Sequence, residues 1–393
     1  MNLSGRTYLD RAAGASGNPS SPHEEGRRAK KILEDARTNI AHLVEVQSDD
    51  IIFTSGATEA NALAILGHVR ALRANGKNNM HALYLPSSHA SVVENMKLLA
   101  EEGVAIEALP IAHYRVDTET LEKMMRKETV LISMDAVCGE TGVVWNTREV
   151  AEILRKSHRG KVIFSLARGT AATREENDFP AVLLHIDASQ APLTEKISRA
   201  HFGADMLTFD ASKVSATRGI GALIAHRTIS LLPLYGGGGQ ERGLRSGSEA
   251  FELARNFADD LRIALKNREA FRASAERERA QLIKFIVETI PNVYINEGRS
   301  QAPHILNISL PGRDTDYMVA LLDEAGFAVS TRSACETDSE DGSRSVFALT
   351  GDRERAHATV RISWGPSVRP RELTRFKKAL AAEVAFIDSD GRR

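Results

Sequence analysis

Short apolar runs alternate with longer stretches whose apolar residues recur every three or four positions, and this rhythm governs the first two thirds of the chain. Residues 51–54, 81–86, 104–109, 130–134 and 183–187 read as brief buried strands. Between them lie helical patterns. Residues 23–44 carry Ala29, Ile32, Leu33, Ala36, Ile40, Leu43 and Val44 on one face. Helices are also predicted from the 55–61 turn through Val69, from near Ser91, over 117–125 and over 147–156. Such alternation of strand and helix predicts an α/β fold with a mostly parallel central sheet flanked by helices. Ahead of it, Tyr8-Leu9-Asp10 reads as a strand-like entry, and residues 14–22 as a turn-rich loop. Residues 161–164 are strand-like. Residues 167–180, charged and small, break the rhythm as an insertion or lid. Residues 204–209 and the glycine-led 218–225 are two more strands.

The pattern then changes. Residues 250–290 form one long, charge-laced helical stretch. Beyond it come strands at 305–310, 328–330 and 357–364, a helix at 314–325 and a closing helix at 371–386, which suits a smaller α+β domain. The expected division is a large α/β domain over 15–250 and a small domain over 251–393, the latter joined by the segment 1–14. Residues 336–343 are polar, acidic and glycine-bearing, and are predicted to be mobile.

Composition narrows the class. The 393 residues are 42% hydrophobic and 26% charged with a formal net charge of -1, a globular balance that favours neither a nucleic-acid nor an anionic-membrane partner. No apolar leader opens the chain and no run approaches a membrane span, which predicts a cytoplasmic protein. Two cysteines, Cys138 and Cys335, make neither a disulfide framework nor a zinc cluster.

Candidate chemistry sits at strand ends. The run 183–187 delivers Asp187, followed by Ala188-Ser189-Gln190. The run 204–209 leads to Asp210-Ala211-Ser212-Lys213. An acid and an amine brought to one crevice by neighbouring strands suit pyridoxal 5'-phosphate: the lysine forms a Schiff base with its aldehyde, and the acid keeps the pyridine nitrogen protonated. Alone, a lysine after a core strand is ordinarily solvated. Ser55-Gly56-Ala57-Thr58, between a strand and a helix start, is an anion seat or an ordinary N-cap. His89 ends another strand, a position worth attention beside an aromatic cofactor. The glycine-rich loop at 236–249 carries Arg242 and Arg245, a linker or an anion clamp. No Gly-x-Gly-x-x-Gly follows the first strand, which disfavours dinucleotide binding.

In combination, Gly17-Asn18-Pro19-Ser20-Ser21 with His23 and Gly26, Phe53-Thr54-Ser55-Gly56-Ala57-Thr58-Glu59, Asp187-Ala188-Ser189-Gln190, the 237–248 loop, Ile305-Leu306-Asn307-Ile308-Ser309 and Ser333-Ala334-Cys335 resemble the cysteine desulfurases of the NifS/IscS type. These belong to the class V aminotransferases, of pyridoxal phosphate fold type I. The resemblance covers nearly the whole chain. It implies that Lys213 holds the cofactor, Asp187 pairs with its ring nitrogen and Gln190 bonds its phenolic oxygen. His89 stacks on the ring and moves protons, while Ala57 and Thr58, with the Asp210 and Ser212 positions, hold the phosphate. Ser248 reaches the phosphate of the other subunit, which implies a homodimer. Arg361 clamps the carboxylate of L-cysteine, with Gly139 near it. Cys335 takes the sulfur as a persulfide, alanine leaves, and a sulfur-acceptor protein follows.

Departures from the pattern mark the same regions. Where the family has Ser-Gly-His before the lysine, this chain has Asp210-Ala211-Ser212. A carboxylate about 4 Å from a phosphate costs on the order of 4 kcal/mol at intermediate dielectric. Cys138-Gly139-Glu140 replaces Asn-Asn-Glu, so Gly139 supplies no side-chain amide. Arg332 replaces a glycine just ahead of Cys335, where a guanidinium favours the thiolate. The N-terminal segment near Ala15 and Gly17 is shortened, and the stretch before Asp187 is extended. These departures leave two other possibilities beside a desulfurase: a non-catalytic homologue serving as a scaffold, and another class V aminotransferase or lyase such as a selenocysteine lyase.

Overall fold

The computed structural model of the chain describes residues 7–156, 181–331 and 342–390. The expected strand at 161–164, the insertion at 167–180, Arg332, Cys335 and most of the 336–343 stretch lie outside the described residues.

Twelve strands and twelve α-helices make up the described chain. The helices are α1 (Glu24–Leu43), α2 (Ala57–Ala62), α3 (His68–Ala74), α4 (Ala90–Glu101), α5 (Thr118–Met124), α6 (Thr147–Lys156), α7 (Arg199–Phe202), α8 (Phe251–Thr289), α9 (Thr315–Glu324), α10 (Arg344–Thr350), α11 (Arg353–His357) and α12 (Pro370–Asp390). Strands β1 (Ile51–Thr54), β2 (His81–Tyr84), β3 (Ala105–Ala108), β6 (Thr129–Asp135), β7 (Leu183–Asp187), β8 (Met206–Asp210) and β9 (Gly221–Ala225) form one sheet in the order β1-β9-β8-β7-β6-β2-β3. A small hairpin, β4 (Ile111–Ala112) with β5 (Arg115–Val116), lies apart. The run from β8 to β3 is parallel throughout, and β9 is antiparallel to both of its neighbours. Only ten residues separate β8 from β9, too few for the usual crossover between parallel strands.

Side chains alternate across this sheet as strand geometry requires. Phe53, Ile132, Met134, Leu207, Phe209, Ala222 and Ile224 face a core shared with α1, α6 and the start of α8. Ile52, Leu131, Met206 and Leu223 face the opposite core, shared with the helical stretch from α2 to α3 and with α4. That stretch passes through a π-helical segment, Leu63–Gly67. It runs on to Ala74, beyond the expected end at Val69. Inside the sheet, His185 bridges three strands, bonding Ser133 Oγ at 2.8 Å and Thr208 Oγ1 at 3.0 Å.

The second sheet, β10 (Tyr294–Ile295), β11 (Ile305–Ser309) and β12 (Thr359–Ser363), is antiparallel. Leu306, Ile308, Val360 and Ile362 pack there against α8, α9 and α12. Helix α8 serves both regions. Ala254, Phe257 and Leu261 join the large core, while Ala275, Leu282 and Ile286 join the small one.

Two expected strands differ. Residues 8–10 form no strand: Leu9 is 89% exposed, and Asp10 instead receives the Ser21 hydroxyl and bonds His23, each at 2.9 Å. Residues 328–330 make a single bridge, Ser330 to Arg361. Helices α10 and α11 had no counterpart in the sequence pattern. Among the described residues, no helix is long and apolar enough to cross a membrane.

Candidate active site

Three adjacent parallel strands, β6, β7 and β8, end in an aspartate: Asp135, Asp187 and Asp210. Their carboxyl ends open onto a cavity of about 300 Å³, whose wall includes Ala57, Thr58, His89, Gly139, Gln190, Lys213 and Arg361. A crevice beyond the carboxyl ends of parallel strands is where α/β sheets bind ligands.

Asp187 is buried and fixed from both sides. Its Oδ2 accepts from Asn61 Nδ2 at 2.7 Å and its Oδ1 from the Ser189 N–H at 3.0 Å. Asn61 also donates to Ser91 Oγ at 2.9 Å. Ser91 Oγ in turn lies 2.8 Å from His89 Nδ1, which accepts the Ser91 N–H at 3.2 Å and so caps α4. Because that backbone group can only donate, Nδ1 is the acceptor and the neutral ring carries its proton on Nε2. Asn61 thus ties the acid and the imidazole into one hydrogen-bonded chain.

At the other end, Asp210 Oδ2 accepts the Ala57 N–H at 2.9 Å, while Oδ1 accepts the Ser212 N–H at 2.8 Å and the Ser212 hydroxyl at 2.6 Å. The anion seat expected at Ala57 therefore holds a carboxylate of the chain itself. Lys213 follows on a single 3-10 turn, Ala211–Lys213, and reaches the same cavity.

Arg361 extends from β12 of the second sheet. Its Nη1 donates to the Gly139 carbonyl and its Nη2 to Ser330 Oγ, both at 3.3 Å. A Cβ on Gly139 would stand 2.9 Å from Gln190 Nε2. The missing side chain at 139 is thus the space that the Gln190 amide uses. Arg344, at the start of α10, also lines the cavity and donates to the Ser88 carbonyl at 3.0 Å.

Asp135 Oδ1 is buried with no hydrogen-bond partner among the described residues. Burial, and then the neighbouring Asp187, hold its carboxyl well above the usual carboxylate range, against the pull of Ser88, the His89 backbone and Arg344. Burial likewise raises the Cys138 thiol, with Asp135 and Glu140 adding to the effect. A buried thiol of this kind is inert.

Of the residues expected at the site, Ala57, Thr58, His89, Gly139, Asp187, Gln190, Asp210, Lys213 and Arg361 meet in the cavity, with Ser212 beside them on Asp210. Ser248 lies elsewhere in this chain, accepting from Asn18 Nδ2 at 3.3 Å. Cys335 lies outside the described residues. Sequence reasoning missed Asp135, Asn61, Ser91 and Arg344. Asp135 carried a usable signal, since it ends a buried strand as Asp187 does.

The aminotransferase class-V family model matches residues 6–167 and 170–376. The chain is 31% identical over 375 residues to cysteine desulfurase IscS 1 of Archaeoglobus fulgidus, covering 95% of this chain and 91% of that protein. It is 33% identical over 368 residues to a NifS/IcsS protein homolog of Lactobacillus delbrueckii, covering 92% and 88%. Among solved structures, a NifS-like protein superposes with a TM-score of 0.81 at 26% identity, over 94% of this chain and 92% of the other. SspA in complex with cysteine superposes at 0.69 with 25% identity, over 89% and 91%. Matched along nearly its full length in sequence and in fold, the chain belongs to the class V aminotransferase family, among the cysteine desulfurases.

Proposed function

We propose that this chain is a cysteine desulfurase that converts L-cysteine to L-alanine, with pyridoxal 5'-phosphate held on Lys213 and the sulfur carried away on Cys335. The observation that carries the proposal is the meeting of an acid, an imidazole, an amine and an arginine in one cavity at the strand ends, in a chain of this family. The donor set suits the cofactor's ring: a buried carboxylate for the ring nitrogen, and the Gln190 amide, in the space Gly139 leaves, for the phenolic oxygen. When bound, the cofactor supplies an electron sink for the negative charge left on the substrate's α-carbon.

The chain's own residues do the rest. Asp187, fixed by Asn61 and the Ser189 N–H, keeps the ring nitrogen protonated. His89, in the cavity wall with Nδ1 engaged by Ser91, would hold and exchange a proton at Nε2 beside the ring. Arg361, steadied by the Gly139 carbonyl and Ser330, takes the substrate carboxylate. By the family pattern a phosphate would fall to Thr58 and to Ser248 of a second copy in a homodimer, beside the Ala57 N–H that Asp210 already occupies. The Cys335 thiolate attacks the substrate sulfur. The carbon–sulfur bond breaks with its electron pair left on carbon, which takes up a proton and becomes the methyl group of alanine. Cys138, buried and with a raised thiol, does not compete for this role. A sulfur-acceptor protein then collects the persulfide. The proposed compartment is the cytoplasm; curated relatives also include mitochondrial enzymes.

Borohydride treatment and peptide mapping test the cofactor, and alanine and sulfide release from cysteine test the reaction. A pyridoxyl group is expected on Lys213 and lost in Lys213→Ala. Cys335→Ser is expected to keep the pyridoxyl group and to stop sulfide release. A labelled protein that yields no alanine from cysteine would instead be another class V enzyme.

A further inference from the structure

The seat where a phosphate would rest is already taken by part of the chain. Asp210 accepts the Ala57 N–H through one carboxylate oxygen, and the N–H and hydroxyl of Ser212 through the other. Three donors that an incoming anion needs are therefore committed, and a fixed negative charge stands among them. The arrangement is also accommodated sterically. A Cβ at Gly56 would lie 3.2 Å from Asp210 Oδ2, so glycine leaves the carboxylate its place. Asp210 lines the cavity. Among the described residues, its Oδ2 accepts one bond, from Ala57, and a carboxylate oxygen has capacity for a second.

A neutral alcohol fits such an acceptor, because it can donate its proton to Oδ2. A phosphate dianion at the same place meets like charge and, Thr58 apart, finds the donors around Asp210 engaged. From this geometry we infer that Asp210 is a specificity-determining residue at this end of the cavity, one that sets the site to accept pyridoxal, the non-phosphorylated aldehyde with a 5'-hydroxymethyl group, in preference to pyridoxal 5'-phosphate. The inference rests on Lys213 being the amine that holds the aldehyde, as proposed above, and alters only what stands at the ring's 5' position.

Cofactor-free full-length protein, titrated separately with pyridoxal and with pyridoxal 5'-phosphate, gives two affinities from the visible band, and borohydride trapping shows where each is bound. The native chain is expected to bind pyridoxal at least as tightly as the phosphorylated form. Asp210→Ser, which removes the charge and adds a donor, is expected to tighten the phosphorylated form by roughly 10–100-fold and to weaken pyridoxal. Asp210→Asn, close in shape, is expected to shift the preference the same way, so a folding failure of the serine variant does not remove the test. Tighter binding of the phosphorylated form by the native chain, unchanged in both variants, would overturn the inference while leaving the cofactor assignment standing. Absence of any adduct on Lys213 with either aldehyde would overturn that assignment, and the inference with it.

Discussion

Asp135 stands in the cavity wall beside Asp187, one strand away, and burial keeps its proton on far above the usual carboxylate range. The unfolded chain gives up that proton near the ordinary value of about 3.9. Between that value and the raised one, the folded chain binds more protons than the unfolded chain, so this residue's contribution to stability falls as pH rises. Asp135→Asn keeps the shape and removes the titration. It is expected to be more stable than the native chain at pH 7, with the difference shrinking toward pH 4, as read from urea midpoints at several pH values. A variant whose advantage did not depend on pH would refute the assignment. The same residue shows what the sequence made visible. Asp187, His89 and Lys213 were found by asking which polar residue ends or follows a buried strand, and Asp135 meets that criterion equally well. Asn61 did not. Its partner Asp187 is 126 residues away, and nothing local to an Asn within a short helix specifies a distant carboxylate.

At the scale of elements, the glycine-rich loop is held less by glycine than by one acid. Glu241 takes both guanidinium ends of Arg37, at 2.8 Å and 2.6 Å, and also accepts the Phe53 N–H at 2.8 Å. It thereby joins the loop to α1 and β1. Its backbone sits in the left-handed region, with φ of 48°, which disfavours a residue carrying a Cβ. The pair is buried, so removing one partner strands a charge. Glu241→Ala is expected to cost about 3–5 kcal/mol, whereas replacing both residues by apolar ones of similar volume, Arg37→Met with Glu241→Leu, is expected to recover much of that loss. Chemical denaturation of the two variants checks this; equal losses in both would assign the stabilisation to the hydrogen bonds of Arg37 and Glu241 rather than to a stranded charge. Sequence reasoning noticed this loop for Arg242 and Arg245, as an anion clamp or a linker. Arg245 instead approaches Glu59 at 3.4 Å, and the acid between the glycines was overlooked. Buried parallel strands were legible because each is a continuous apolar run. The reversed direction of β9 was not legible from hydrophobicity, which is blind to strand polarity; the short β8–β9 connection did carry that information. Helices α10 and α11 span seven and five residues, too short to establish a helical period.

Across the whole molecule, four buried imidazoles act in concert against acid. His68 on one side of the large sheet, His81 at the start of β2, His185 inside the sheet and His304 beside the small core are each depressed by burial to about 4, His81 also by Arg126. In the unfolded chain each titrates near 6.5. The unfolded state therefore binds more protons between those values. The stability these residues contribute is complete above about 6.5 and is lost as pH falls toward 4, by roughly 3 kcal/mol per imidazole. Asp135 works in the opposite direction from its ordinary value of about 3.9 upward, so the total curve mixes the two signs. His304 separates them. Its ring packs near Phe271, with centroids 5.6 Å apart, and its Nδ1 has no hydrogen-bond partner among the described residues. Because α8 bears on both cores, loss of the small one is expected to register as loss of the whole. His304→Leu is thus expected to reduce the proton uptake on unfolding by about one between pH 6.5 and 4 while leaving the Asp135 component in place. Parallel pH series of denaturant midpoints for the two proteins measure that difference directly, and identical slopes would show that His304 is already protonated in the folded chain.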